Sequence, residues 1–288
     1  MFNEPMLKEN SLRGKNILIT GGGTGLGKSI GNYCAELGAN LIIASRKLNV
    51  LENTANEIRN KNKTEVFPMA CDVRSYDEVE KLVRTSIEKF GRIDALVNNA
   101  AGNFISPTER LSHRAFDSII DIVLKGTCNC SLALGKYWIE KKLTGVILNI
   151  VTTYAFTGSG YVVPSAAAKG GIISLTRSLA AEWGRKNIRV NAIAPGPFIT
   201  EGAWSRLFPP VVQKFVDPLS RIPAGRFGEH QELANLAAYL LTDFSSYING
   251  EVIVIDGGEW LHGAGQFSAF EKIPEELWNE WEKMRNKK

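Results

Sequence analysis

Apolar residues along this chain follow two periods that alternate from residue 16 onward. Short apolar runs recur at Asn16–Thr20, Leu41–Ala44, Val66–Cys71, Ile93–Val97, Val146–Val151, Ile188–Ile193 and Val252–Ile255. Each is too short for a helix and is followed within a few residues by polar or turn-forming ones, the pattern of a strand covered on both faces. Between the runs, apolar residues return every three or four positions: Leu26, Ile30, Cys34 and Leu37; Leu48, Leu51, Ala55 and Ile58; Val79, Leu82, Val83 and Ile87; Ile172, Leu175, Leu179 and Trp183. Those spacings predict helices. Ser75-Tyr-Asp-Glu78 reads as a capping box opening one of them, and a long helix is expected from Ser112 to about Ile139 with Gly126 tolerated inside it. A helix is expected over Glu229–Leu241 as well. Strand and helix in regular alternation predict a Rossmann-type, doubly wound α/β fold with a parallel sheet.

The pattern also sets boundaries. Residues 1–14 are polar and read as an arm, and 15–258 as one catalytic domain. Within it, 200–225 has little period and is long enough for a lid or substrate-binding segment. The tail, 259–288, carries Trp260, Phe267, Phe270, Trp278 and Trp281, and is expected to pack on the same or a neighbouring subunit.

Composition narrows the class. With 288 residues, 44% hydrophobic and 22% charged, the chain can bury one large core without a second domain. A net charge of +4, scattered along the chain, does not suggest nucleic acid. Four cysteines without CxxC spacing and three unclustered histidines lead us to expect reduced thiols, no metal and a cytoplasmic protein. No apolar run reaches the ~18 residues of a membrane span, and no signal, transit or peroxisomal address is expected.

The candidate chemistry sits at the carboxyl ends of the runs, where ligands bind in such sheets. Gly21-Gly22-Gly23-Thr24-Gly25-Leu26-Gly27 joins the first strand to a helix, so its backbone can approach a pyrophosphate whose charge faces the helix amides. The second run ends at Ser45-Arg46, where an arginine suits the 2′-phosphate of NADPH, although it could be structural. Asp72 ends the third run and could bind adenine or merely form a turn. Asn98-Asn-Ala-Ala-Gly102-Asn103 offers close approach to a ribose and side-chain donors to a substrate, or is an ordinary amide-rich turn. After the fifth run come Tyr154 and, on the next helix, Lys169. A neighbouring ammonium favours phenolate, so this pair is expected to lower the tyrosine pKa and serve a developing oxyanion; a loop tyrosine and a solvated lysine are the plain alternative. Pro195-Gly196-Pro197-Phe198 breaks the chain at another carboxyl edge.

From about Gly14 to Gly258 the chain resembles the short-chain dehydrogenase/reductase family, through the glycine turn, Asn98-Asn-Ala, Pro195-Gly and Asp256-Gly-Gly258 in that order. The resemblance implies seven strands in the order 3-2-1-4-5-6-7 and a homotetramer. One landmark departs: the family's Tyr-x-x-x-Lys is Ser165-Ala-Ala-Ala-Lys169 here, its usual serine is Thr152 and its usual helix asparagine is Val123. Ser165 is too weak an acid to replace a phenol, and its removal is expected to matter little. The chain looks like the 2,4-dienoyl-CoA reductases of this family, through Asn98 to Leu111, Gly158-Ser-Gly160, Val162-Val-Pro-Ser165 and Gly202-Ala-Trp-Ser-Arg206. In that branch the tyrosine comes earlier.

That resemblance assigns Tyr154 and Asn103 to the thioester oxygen and Lys169 to the nicotinamide ribose. It places Arg74, Phe104, Ser112 and Arg206 along an acyl-CoA substrate, with NADPH held by the glycine turn, Arg46, Asp72, Lys169 and Pro195 to Phe198. The implied reaction is reduction of 2,4-dienoyl-CoA to 3-enoyl-CoA in β-oxidation of unsaturated fatty acids. A 3-oxoacyl or other carbonyl reductase, or a non-catalytic NADPH-binding module, are the rival readings.

Overall fold

All seven apolar runs enter one parallel sheet in the computed structural model, which describes residues 7–103, 105–200 and 215–285. The strands are β1 (Asn16–Thr20), β2 (Asn40–Ser45), β3 (Val66–Ala70), β4 (Ala95–Asn98), β5 (Gly145–Ile150), β6 (Ile188–Pro195) and β7 (Val252–Ile255). Their order is β3-β2-β1-β4-β5-β6-β7, the doubly wound topology expected. β1, β4 and β5 are buried along almost their whole length, which is why they read as unbroken apolar runs.

Helices cover both faces. On one, α1 (Gly25–Glu36) and α2 (Leu48–Asn62) pack with α8 (His230–Leu241) over Ile17, Ile19, Leu41, Ile43 and Leu148. On the other, α3 (Tyr76–Phe90), α5 (Gly126–Lys141) and α7 (Val163–Trp183) bury Leu18, Ile42, Leu96, Ile147 and Val190. Between α3 and α5 lies α4 (His113–Ile120), and α6 (Tyr154–Thr157) is a single turn after β5.

Three local expectations change. The helix expected from Ser112 is interrupted by one π turn, Asp121–Lys125, between α4 and α5. The next residue, Gly126, is needed because a Cβ there would lie 2.5 Å from Val73 Cγ2. Among the described residues this α4–α5 stretch alone is apolar and long enough to cross a bilayer, and 56% of its most apolar window is buried within the fold. Ser75 caps α3 by accepting from Glu78 N–H, but the Glu78 carboxylate accepts from Asp72 N–H instead of closing the box. A complete capping box occurs at α8 between Glu229 and Glu232, at the start of the helix expected over Glu229–Leu241.

In the tail, α9 (Glu259–Ala264) carries Trp260, which stacks on Phe156 of α6 at 4.8 Å. Farther on, Phe267, Phe270 and, on α10 (Glu275–Arg285), Trp278 and Trp281 form an aromatic cluster whose members stay substantially exposed.

Candidate active site

The glycine turn is built by steric exclusion. Gly21 and Gly25 have φ of +65° and +54°, and a Cβ on Gly27 would meet Gly21 O and come 2.5 Å from Asn99 Nδ2. Asn99 in turn donates to Thr20 O and Gly21 O, while Thr20 Oγ1 accepts from the amides of Asn99 and Ala100. The loop after β4 is thereby fastened to the loop after β1. Thr24 makes no side-chain cap on α1 and no acid occupies its first turn, so the opening amides face an uncompensated, anion-favouring end.

Around this end is a cleft of about 360 Å³, lined by Gly21, Gly23, Thr24, Ser45, Arg46, Lys47, Asp72 and Ala100 among others. Ile122, from the π turn, also lines it. Arg46 and Lys47 are exposed at its edge, so a phosphate can reach two cations. Asp72 is already engaged: Arg74 Nε sits 2.9 Å from both of its oxygens, and this bond, helped by the charge of Arg46, lowers the Asp72 pKa. Arg74 is therefore directed at Asp72. Ser112 Oγ accepts from Ala115 N–H and caps α4. Of the other residues expected at the nucleotide, Pro195 closes β6 and a Cβ on Gly196 would lie 2.5 Å from Asp256 Cβ. Pro197 O accepts from Gly228 N–H, and Phe198 packs against Gly228. Phe104 and Arg206 lie outside the described residues.

The second half of the site forms where β4 and β5 end side by side, with Asn98 paired to Asn149 in the sheet register. Asn98 Nδ2 donates to Asn149 Oδ1 at 2.9 Å, and Asn149 Nδ2 to Thr176 Oγ1 at 2.9 Å, a buried chain that ties both strands to α7. Beyond these strand ends Asn103 Nδ2 donates to the Tyr154 hydroxyl at 3.2 Å. Ser165 Oγ lies 3.1 Å from the same hydroxyl. Ser165, expected to be idle, is buried one helical turn before Lys169 and touches the phenol directly. When it donates, Asn103 and Ser165 occupy the phenolic lone pairs and the Tyr154 O–H is left to meet another acceptor.

Electrostatics correct one expectation. Burial raises the Tyr154 pKa, opposed only by hydrogen bonds with Ser165 and Thr152, so the group stays a neutral donor. Lys169 does not depress it. Its ammonium is bonded to Ile150 O, and burial lowers its own pKa to about 8. A charge held in so little solvent is sustained best by an anionic or hydroxyl-rich ligand beside it.

A larger groove, of about 610 Å³, lies at the opposite, amino-terminal edge of the sheet. Its charges are already satisfied: Arg189 donates to the carbonyls of Leu240, Thr242 and Ile248, and Lys15 pairs with Asp243. Among the described residues no group of His, Cys, Asp and Glu could hold a metal.

Comparison with known proteins finds relatives over most of the chain. The family model described as enoyl-(acyl carrier protein) reductase matches residues 21–259. A Bacillus subtilis protein named as a probable 2,4-dienoyl-CoA reductase, (2E)-enoyl-CoA-producing, is 46% identical over 86% of this chain and 97% of its own. A Caenorhabditis elegans protein named as a probable 2,4-dienoyl-CoA reductase 3, (3E)-enoyl-CoA-producing, is 41% identical over 97% of this chain and 92% of its own. The crystal structure of a short chain dehydrogenase from Bacillus anthracis superposes with a TM-score of 0.76 at 43% identity, over 86% of this chain and 97% of that one.

Proposed function

This chain belongs to the short-chain dehydrogenase/reductase family, whose fold carries a nicotinamide cofactor, and from that premise we propose that it reduces 2,4-dienoyl-CoA thioesters with NADPH, a step in β-oxidation of unsaturated fatty acids. The observation that carries this reading is the contact of Asn103 with Tyr154, in a site where Ser165 stands in the family's usual tyrosine position. Relatives named for the same reaction support it. A carbonyl reductase needs an acid at the oxygen of the carbonyl whose carbon accepts hydride, and Ser165, in the family's usual acid position, is a poor one. The test is NADPH oxidation with a 2,4-dienoyl-CoA, a 3-oxoacyl-CoA and a simple aldehyde in parallel. Turnover of the dienoyl thioester alone is expected; preference for the 3-oxoacyl thioester would reject the assignment.

Bound NADPH supplies the hydride, which the substrate accepts at its δ-carbon. Negative charge then moves along the conjugated chain to the thioester oxygen. Tyr154 O–H and the Asn103 amide meet it there, and each well-placed donor contributes roughly 3 kcal/mol to the transition state. Lys169 holds the cofactor ribose and keeps the pocket positive.

The arrangement also bears on the product. Asn103 and Ser165, the groups bonded to the Tyr154 hydroxyl, carry no titratable proton, so the described donors gather at the oxygen. Protonation by water at the adjoining α-carbon gives a 3-enoyl-CoA. The relatives divide on this point, one being named for the 2-enoyl and another for the 3-enoyl product. Proton NMR of the product, from enzyme free of isomerase, should show the 3-enoyl thioester; 2-enoyl product alone would require a γ-carbon donor and refute α-protonation.

Arg46 selects the cofactor. Arg46→Ala should weaken NADPH binding by roughly 10- to 100-fold and leave NADH little changed, because the 2′-phosphate loses a charge-assisted partner. Equal affinity of the wild type for both cofactors would contradict the assignment. The exposed aromatic cluster of the tail supports self-association, and for the homotetramer that the family resemblance implies light scattering should return four times the 31.7 kDa chain mass.

A further inference from the structure

Five residues other than glycine hold a left-handed backbone among those described: Asn10, Lys63, Lys142, Tyr161 and Asn187. Four are ordinary. Lys63, Lys142 and Asn187 follow the last turn of a helix, where that conformation ends the hydrogen-bond ladder, and Asn10 lies in a turn, which asparagine tolerates. Tyr161, at φ +66°, terminates no helix and has a bulky side chain. It is preceded by Gly160, a residue that takes a left-handed backbone at less steric cost and does not do so here. Strain of this kind persists where the surroundings enforce it, and it gathers at ligand sites.

The surroundings do enforce it. The Tyr161 carbonyl accepts from Ser106 N–H at 2.9 Å, which ties the 158–162 loop to the loop that carries Asn103. These two loops flank the Tyr154 hydroxyl: Asn103 reaches it from one, and Ser165 reaches it from the helix that the other one opens into. The side chain itself is not packed. Tyr161 is 63% exposed and Ile105, next to Ser106, is 46% exposed, so two large apolar groups stand in solvent on either side of the Ser106–Tyr161 bond. The Tyr161 hydroxyl makes no hydrogen bond among the described residues.

We propose that Tyr161 is a specificity-determining residue, whose strained backbone presents its ring, with Ile105, as an apolar rim that grips the hydrocarbon tail of an acyl-CoA beyond the Tyr154–Asn103 site. The inference rests on the acyl-CoA reading above. A ring half-covered by an alkyl chain accounts for roughly a tenfold difference in affinity, and a short acyl group cannot reach it.

The test is calorimetric binding of dodecanoyl-CoA and butanoyl-CoA, with NADP⁺ present, to wild type, Tyr161→Gly and Tyr161→Asn. Both substitutions suit a left-handed backbone, so Tm should equal or exceed that of the wild type. Dodecanoyl-CoA should bind about tenfold more weakly to both variants, and butanoyl-CoA less than twofold more weakly. Unchanged dodecanoyl-CoA affinity overturns the proposal, as does an equal loss for both ligands, which would put the ring on the CoA arm. A Tm lower by more than about 5 °C in both variants also overturns it, since the ring would then be structural. Failure of the wild type to bind either thioester would instead reject the acyl-CoA reading.

Discussion

Tyr154→Phe is expected to lower kcat for a 2,4-dienoyl-CoA by roughly 10²- to 10³-fold while leaving NADPH affinity within about twofold. The substitution removes only the hydroxyl, and the ring that shapes α6 remains. That hydroxyl is held by Asn103 at 3.2 Å and Ser165 at 3.1 Å, so its direction is set before the substrate arrives. Preorganisation of this kind has its effect when charge develops on the oxygen, so kcat should fall more than KM rises. Ser165→Ala removes one of the bonds that fix the phenol and should cost a few-fold in kcat, the size of a neutral hydrogen bond. Stopped-flow turnover of the two variants decides it. If Ser165→Ala abolishes activity and Tyr154→Phe does not, the phenol is not the oxyanion donor.

Lys169→Met should reduce kcat/KM for NADPH by at least roughly 10²-fold and at the same time make the cofactor-free protein more stable at neutral pH. The two effects have one cause. Burial lowers the Lys169 pKa from 10.5 to about 8, so below that pH the folded chain carries an ammonium that the interior disfavours. The unfolded chain, with the higher pKa, binds more protons between about 8 and 10.5, and stability attributable to this group therefore rises with pH across that window. Relative to a neutral side chain, the ammonium costs on the order of 3 kcal/mol at pH 7 as an upper limit. Cys34 and Cys71, both pushed up to about 12 by burial, act in the opposite sense above their ordinary value, so wild type and variant must be compared at each pH. The expected result is a Tm advantage for Lys169→Met at pH 7 that shrinks as pH approaches 10. Activity should show the reverse dependence, since the wild type loses its ammonium as pH rises through about 8. A variant less stable than wild type at pH 7 would mean that the Ile150 carbonyl bond outweighs the desolvation.

The architecture was legible in the sequence because strand and helix identity are local properties. A run such as Asn16–Thr20 or Val146–Val151 declares itself through its own side chains, and so does the 3.6-residue stripe of Ile172, Leu175 and Leu179. The glycine turn was legible for the same reason: the need for positive φ at Gly21 and Gly25 lies within the segment. Arg46 and Asp72 line the same cleft as the glycine turn, as following the strand ends leads one to expect, because they all face the same way in a parallel sheet. The displaced tyrosine was found from family resemblance, because nothing local distinguishes Tyr154 from any loop tyrosine.

What only the tertiary structure decided was which of these residues touch. Asn103 and Tyr154 are 51 positions apart, and they meet because β4 and β5 are neighbours in register, Asn98 beside Asn149. Ser165 was dismissed on acidity alone, and its role as the partner of the phenol appeared only when α6 and α7 were seen to converge. Lys169 was expected to act on the phenol through its charge, but its bond to Ile150 O and the burial of Tyr154 reverse the sign of that pKa shift. Arg74 turned to Asp72, and Glu78 to the amide of Asp72, because a charged side chain takes whichever partner the folded backbone brings within reach. Periodicity and turn chemistry fix where each element begins and which face it buries. Contact and pKa depend on distance and solvent exclusion, and these exist only after the strands have paired and the helices have closed over them.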